Sequence, residues 1–320
     1  MSDQIKQQPP AGTGRISRPR TELLTIGTGN GSPTAAIGQA LGGSVRRLFG
    51  RHTPWLDKAA FVLVGVLIIL AFVGPLIAPY DPSVTNSALS LKAPDAAHWL
   101  GTDELGRDVL SRILAGAGLT LLSATAIVLF ATFIGVLVAS IATLLPRWAE
   151  EIIMRACDIF MSIPGLVLAL GIAAALGPSM QSIIIAMIVA SWPSTARLTR
   201  GILRETMTNS FVESARILGM SRLRLMLRHA LPNSLDAIYV QASMEISGTI
   251  VMISGLAFLG VGAPPPSPDW GSMIAQGQQY ITTAWWISLF PGLAITTGAI
   301  AFGLVGDAVR ALADPTSRRG

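Results

Sequence analysis

Five stretches of the chain carry no charged residue: 59–78, 113–146, 159–196, 246–268 and 270–306. Crossing roughly 30 Å of hydrocarbon takes about 20 apolar residues in a helix. A helix also closes its backbone hydrogen bonds within the segment, which lipid demands. The period-two alternation of barrel strands is absent, so the pattern predicts an all-α membrane protein. The run 159–196 is too long for one crossing, and Gly177-Pro178-Ser179 divides it, since proline with glycine punctuates helices. Six transmembrane helices are expected, at about 59–78, 117–144, 159–176, 181–198, 236–259 and 287–306, within a domain over 54–314.

Composition agrees: 51% of the 320 residues are hydrophobic and 13% are charged, too few charges to cover a soluble domain of this size. Residues 1–53 are rich in Gly, Pro, Ser, Thr and Gln and are expected to be a disordered basic tail. Residues 45–55 are the exception, with the makings of a short interfacial helix, and 315–320 form a second tail. The first span lies too far from the N-terminus, and lacks a convincing cleavage site, to be a removed signal. Of the 23 basic residues, all but Lys92, Arg107 and Arg112 fall on one side of a six-span arrangement. The positive-inside rule places both termini in the cytoplasm, so the net charge of +5 marks topology and removes support for a nucleic-acid partner. One cysteine, Cys157, allows no intrachain disulfide and reads as a small packing residue. His52, His98 and His229 lie too far apart to suggest a metal site.

Between the fourth and fifth spans, residues 200–232 look too ordered for a connector. Residues 213–218 read as one short helix and 221–228 as a second. Gly219 sits where a left-handed C-cap favours glycine, Ser221 is placed to cap the second helix, and Leu231-Pro232-Asn233 closes the segment. Leu223, Met226 and Leu227 share one side of the second helix. Two readings stand: a helix pair that enters a groove on another protein, or an amphipathic loop held on anionic lipid.

Glu213-Ser214-Ala215, Gly219 and Leu231-Pro232 resemble the EAA loop of ABC-importer permeases, in which E-A-A, three residues, G, nine residues and I-x-L-P recur. Ser214 replaces an alanine, and His229 stands where many families have isoleucine; the run 228–233 suits the peptide branch. The segments 98–103 and 106–112, Ser191-Trp192-Pro193, 258–262 with Pro265, Pro266 and Trp270-Gly271, and Ala301-Phe302-Gly303 with Gly306-Asp307 are similar to the same branch. In order, they resemble the C-type permease subunit of dipeptide, oligopeptide and nickel transporters over roughly 55–315. The resemblance implies a type I ABC-importer permease in the bacterial inner membrane, importing peptides by alternating access. It implies a heterodimer with a homologous B-type permease, two ATPase subunits or one fused ATPase carrying ATP and Mg, and an extracytoplasmic binding protein. The coupling loop would use Glu213, Ser214, Ala215, Gly219, His229, Leu231 and Pro232. Nickel, glutathione and sugar-peptide substrates stay open, because selection rests largely on the binding protein.

The chain's own lysines, Lys6, Lys58 and Lys92, never follow a glycine, so it lacks a P-loop and the motor is expected on another protein; no catalytic residue and no cofactor are expected on this chain. Gln241, Glu245, Gly248 and Met252 share a face of the fifth span. Counting from Asp236 at about 1.5 Å per residue puts Glu245 near the midplane. An intramembrane acid is costly and faces protein or water; the set is the candidate pathway, with a structural bond to a neighbouring span as the alternative. Outside, Asp103, Glu104, Arg107, Asp108 and Arg112 are spaced for surface ion pairs on a helix. By the resemblance, the stiff loop 264–270 faces the binding protein, with Asp103, Arg107, Asp108, Pro265 and Trp270 as candidates; a rigid turn that merely orients two spans is the alternative. A channel or secondary transporter would need paired broken helices, and an intramembrane enzyme a reactive cluster; the sequence suggests neither.

Overall fold

The computed structural model describes residues 55–313; the tails expected over 1–53 and 315–320 lie outside them, as does nearly all of the expected interfacial helix. Helix α1 (Trp55–Ile77) leads through an irregular segment to α2 (Val109–Leu144), α3 (Arg147–Met161), α4 (Gly165–Leu176) and α5 (Met180–Met207). Then come α6 (Ser210–Ile217), α7 (Arg222–Leu225), α8 (Leu231–Leu256), α9 (Trp270–Gly277) and α10 (Trp286–Ala313). Among the described residues there is no strand, only an isolated bridge between Thr102 and Asp108.

Among the described residues, five helices are long and apolar enough to cross a membrane: α1, α2, α5, the rod Arg222–Val261 that contains α8, and α10. The third expected span, 159–176, is not one helix. Helices α3 and α4 meet at an 83° bend, and only the pair together makes a sixth crossing. Pro164 supplies no N–H and biases Ile163 away from helical backbone, so the chain breaks at 162–164. The 12 residues of α4 span only about 18 Å at about 1.5 Å each. Pro164 was hidden inside a charge-free run, whereas the expected break at Gly177 is present: Gly177 has φ +90° and the Ser179 hydroxyl caps α5 by accepting from Ser182 N–H at 3.0 Å.

The helices pack where small residues let backbones approach. A Cβ on Gly74 of α1 would stand 2.2 Å from the Leu114 carbonyl oxygen of α2, and one on Gly118 of α2 2.4 Å from that of Ala71. The contact is reciprocal, as expected when helices associate in lipid through close packing. Helix α2 packs most heavily on α5, and α8 on α10. Ile127, Ile183, Ile250, Ile253, Leu256 and Trp270 are buried at the centre, while many large apolar side chains of α1 and α2, such as Phe72 and Phe133, point outward as a lipid-facing surface requires.

Candidate functional site: the helix pair at 210–232 and the cavity at Glu245

Helix α6 ends in a complete Schellman motif. Gly219 N–H donates to the Arg216 carbonyl at 3.0 Å and Met220 N–H to that of Ala215 at 3.2 Å, with Gly219 at φ +82°. Both bonds satisfy carbonyls that the helix end would leave unpaired, and they turn the chain sharply into α7. Val212, Ala215 and Leu225 close a small buried cluster under this corner. Met226 and Ala230 join Ala139 of α2 and Leu203 of α5 in a second one. The Thr206 and Ser234 hydroxyls meet at 3.0 Å where α5 and α8 converge.

Three expectations change here. Leu231-Pro232-Asn233 does not close the segment: helix runs unbroken from Arg222 into the fifth span. A π-helical turn over Met226–Ala230 absorbs the proline. Leu231 N–H reaches the Met226 carbonyl, Pro232 has no donor to place, and the Asn233 amide donates to the His229 carbonyl at 2.6 Å. Nor do Leu223, Met226 and Leu227 present one face, because Met226 is buried while the two leucines are exposed. Ser221 occupies the N-cap of α7 without a side-chain capping bond. What the corner does present is Ile217 and Leu218, 81% and 86% exposed. Glu213 and Ser214 stand exposed beside them, and Pro232 on the rod is exposed too. Leu231 is half-buried, and so is His229, whose Nε2 is buried without a hydrogen-bond partner.

In α8, Glu245, Gly248 and Met252 line a cavity of about 300 Å³ together with Thr249, Ile127 and Val128 of α2, and Met187, Ser191 and Ser194 of α5. Gln241 stays outside the lining and holds the acid, its Nε2 donating to Glu245 Oε1 at 3.0 Å. The cavity thus pairs one carboxylate with hydroxyls and thioethers. Ser191 and Ser194 were missed in sequence because α2, α5 and α8 meet there only in three dimensions.

The candidates expected on the outer face are placed differently from expectation. Asp103, Arg107, Asp108 and Arg112 are buried, not a solvated helix surface. Asp103 Oδ2 accepts from Arg107 Nε at 2.6 Å and from Arg112 Nη1 at 2.7 Å, and both arginines donate to Gln276 Oε1 of α9. Asp108 caps α2 through Ser111 N–H at 2.8 Å and meets His98 Nδ1 at 2.9 Å. Trp270 is buried with its Nε1 donating to the Ile113 carbonyl, and Trp286 Nε1 reaches the carbonyl of Thr102. These groups tie residues 98–112 to α9 and α10, so they cannot face a binding protein directly; Pro265 is exposed. Asp269 caps α9 by accepting from Gly271 N–H and Ser272 Oγ, and burial pushes its carboxyl above the ordinary range despite those bonds.

Sequence reasoning also missed a joint between α3 and α5. Glu150 accepts from Arg200 Nε at 2.6 Å and Arg204 Nη2 at 2.7 Å, and Asp158 from Arg197 Nη1 at 2.6 Å. The spacing of Arg197, Arg200 and Arg204 on one helical face was the available signal.

Residues 131–319 match the family described as binding-protein-dependent transport system inner membrane component, and residues 57–94 the N-terminal TM domain of oligopeptide transport permease C. The probable D,D-dipeptide transport system permease protein DdpC of Escherichia coli is 40% identical over 265 residues, 83% of this chain and 89% of that protein. The di/tripeptide transport system permease protein DppC of Pseudomonas aeruginosa is 39% identical over 273 residues, 83% and 89% of the two chains. The glutathione transport system permease protein GsiD of Pectobacterium atrosepticum is 38% identical over 271 residues, 84% and 89%. Among solved structures, the inward-facing MetNI methionine ABC transporter aligns with TM-score 0.52 at 18% identity, over 62% of this chain and 95% of that one.

Proposed function

The chain belongs to the family of binding-protein-dependent transport system inner membrane components, and from that membership we propose that it is the C-type permease of a peptide-importing ABC transporter. It forms half of the membrane channel, paired with a homologous B-type permease. Both termini lie in the cytoplasm. Separate ATPase subunits, as two chains or one fused chain, bind ATP and Mg, and an extracytoplasmic protein delivers the peptide.

One observation carries the reading: the corner at α6 and Gly219 exposes Ile217 and Leu218 at the head of a rod that runs into the span holding Glu245. Apolar knobs seated in a groove of the ATPase would move with it. Buried contact of Val212 and Ala215 with Leu225 ties α6 to the rod of α7, the π turn and α8, so displacement at Leu218 passes through that packed corner and along the rod to the cavity. Closure of the ATPase pair therefore shifts the α2–α5–α8 cavity between two states, and substrate need only bind those states unequally. Glu245, Ser191, Ser194 and Thr249 offer a path polar enough for peptide amides and ammonium.

The test is reconstitution of the purified complex with its binding protein. ATP turnover should rise with loaded binding protein, and labelled dipeptide should accumulate in the vesicles. A chain that purifies without an ATPase, or conducts solute without ATP, would overturn the proposal.

A further inference from the structure

Helix α3 is strongly amphipathic, and at about 100° per residue three strips follow one another around it. Glu150, Met154 and Cys157 are buried against the bundle. Next come Arg147, Glu151, Arg155 and Asp158, which form one wall of a cleft of about 320 Å³; Arg197, Arg200 and Arg204 of α5 form the other. Beyond them Trp148, Ile152 and Ile159 stand 69%, 61% and 69% exposed. A charged cleft therefore adjoins an uncovered apolar strip on the same helix.

The charges in the cleft do not balance. Five arginines and three acids line it, a formal surplus of two positive charges. Glu150 is shared by Arg200 and Arg204, Asp158 holds Arg197, and Glu151 reaches Arg155 only at 3.6 Å between exposed side chains. Arg147 has no ion-pair partner among the described residues. Arginine's planar fork suits phosphate oxygens, and a tryptophan on an amphipathic helix belongs at the headgroup level of a bilayer.

We propose that the cleft between α3 and α5 binds the phosphate headgroup of an anionic phospholipid of the cytoplasmic leaflet, with its acyl chains along Trp148, Ile152 and Ile159. Arg147 and Arg155 grip the phosphate, and Glu150 holds Arg200 and Arg204 in place behind it. Such basic pockets between membrane helices are a recurrent form of headgroup recognition. The choice of leaflet rests on the orientation proposed above; binding itself does not.

The test uses the whole detergent-solubilised complex, titrated with phosphatidylglycerol, phosphatidylcholine or inorganic phosphate and read by native mass spectrometry. Wild-type complex should keep one phosphatidylglycerol through delipidation and bind phosphatidylcholine far more weakly. Each basic side chain at a membrane surface contributes on the order of fivefold, so R147Q/R155Q should lower the affinity about 30-fold, with R147K/R155K recovering most of it. Subunit composition of the variants reports folding. Equal retention by wild type and R147Q/R155Q, or no preference over phosphatidylcholine, would overturn the proposal, and so would saturation by inorganic phosphate alone, the mark of a free-anion site. Side-specific thiol labelling of Glu151→Cys separates the two readings: access from outside with phosphatidylglycerol still retained sinks the orientation and leaves the headgroup site standing.

Discussion

At Gly219 a new side chain would meet nothing within 4 Å, so space is not what excludes it. The positive φ is, and in αL a β-branched side chain is strained by roughly 1–2 kcal/mol. Gly219→Val should misdirect the α6 corner and abolish stimulation of ATP turnover by loaded binding protein, while the spans still insert. Gly219→Asn, which tolerates αL, should keep most of the stimulation; the paired assay separates backbone geometry from bulk. Glu245 makes the complementary case. It is bonded to Gln241 of its own helix and lines the cavity, so Glu245→Leu tests the proposed pathway without unpairing a neighbouring span. Peptide uptake should fall well below wild type at normal expression; unchanged uptake would show that the carboxylate plays no part in transport.

Among the elements, the α6 corner and the segment 98–112 make opposite demands on mutation. Ile217 and Leu218 protrude, so Ile217→Ser with Leu218→Ser leaves the chain's own packing intact. Burial of each in a partner would contribute roughly 1.5–3 kcal/mol, and the double variant should lose the ATPase on purification while retaining the second permease. The Asp103–Arg107–Arg112 network is internal. Removing one partner of a buried ion pair costs about 3–5 kcal/mol, because the other charge is stranded. Arg112→Ala should thus lower the melting temperature and yield of the complex, with coupling per surviving complex unchanged. A selective loss of coupling at normal stability would argue instead for a direct role at the receptor face.

For the molecule as a whole, the distribution of lysine and arginine makes the orientation testable. Cys157 is fully buried, so single cysteines can be read against a low background. Cysteine at Trp99 or Pro265 should label from outside, and cysteine at Leu218 only after the membrane is opened. Labelling of Leu218→Cys from outside would invert the proposed topology and remove the coupling reading with it.

Five of the long apolar helices were legible in the chain, because long charge-free runs have one inexpensive fate in lipid; their ends were not, since the fifth begins at Arg222 and the fourth runs on to Met207. The left-handed corner at Gly219 was legible too, since its bonds are local and glycine's freedom is intrinsic. The bend at Pro164 was written locally but masked by its apolar surroundings. The rod through Pro232 was obscured in the other direction, because a π turn reroutes the hydrogen bonds that proline disturbs. One-sided spacing such as that of Arg197, Arg200 and Arg204 could signal that a helix face has partners, but which residues meet across helices was not readable. The Glu150 clamp joins residues 50 and 54 positions apart, and Arg112 reaches Gln276 across 164. Such pairings depend on how helices cross, which close contacts like that of Gly118 with Ala71 settle only once the backbones have met.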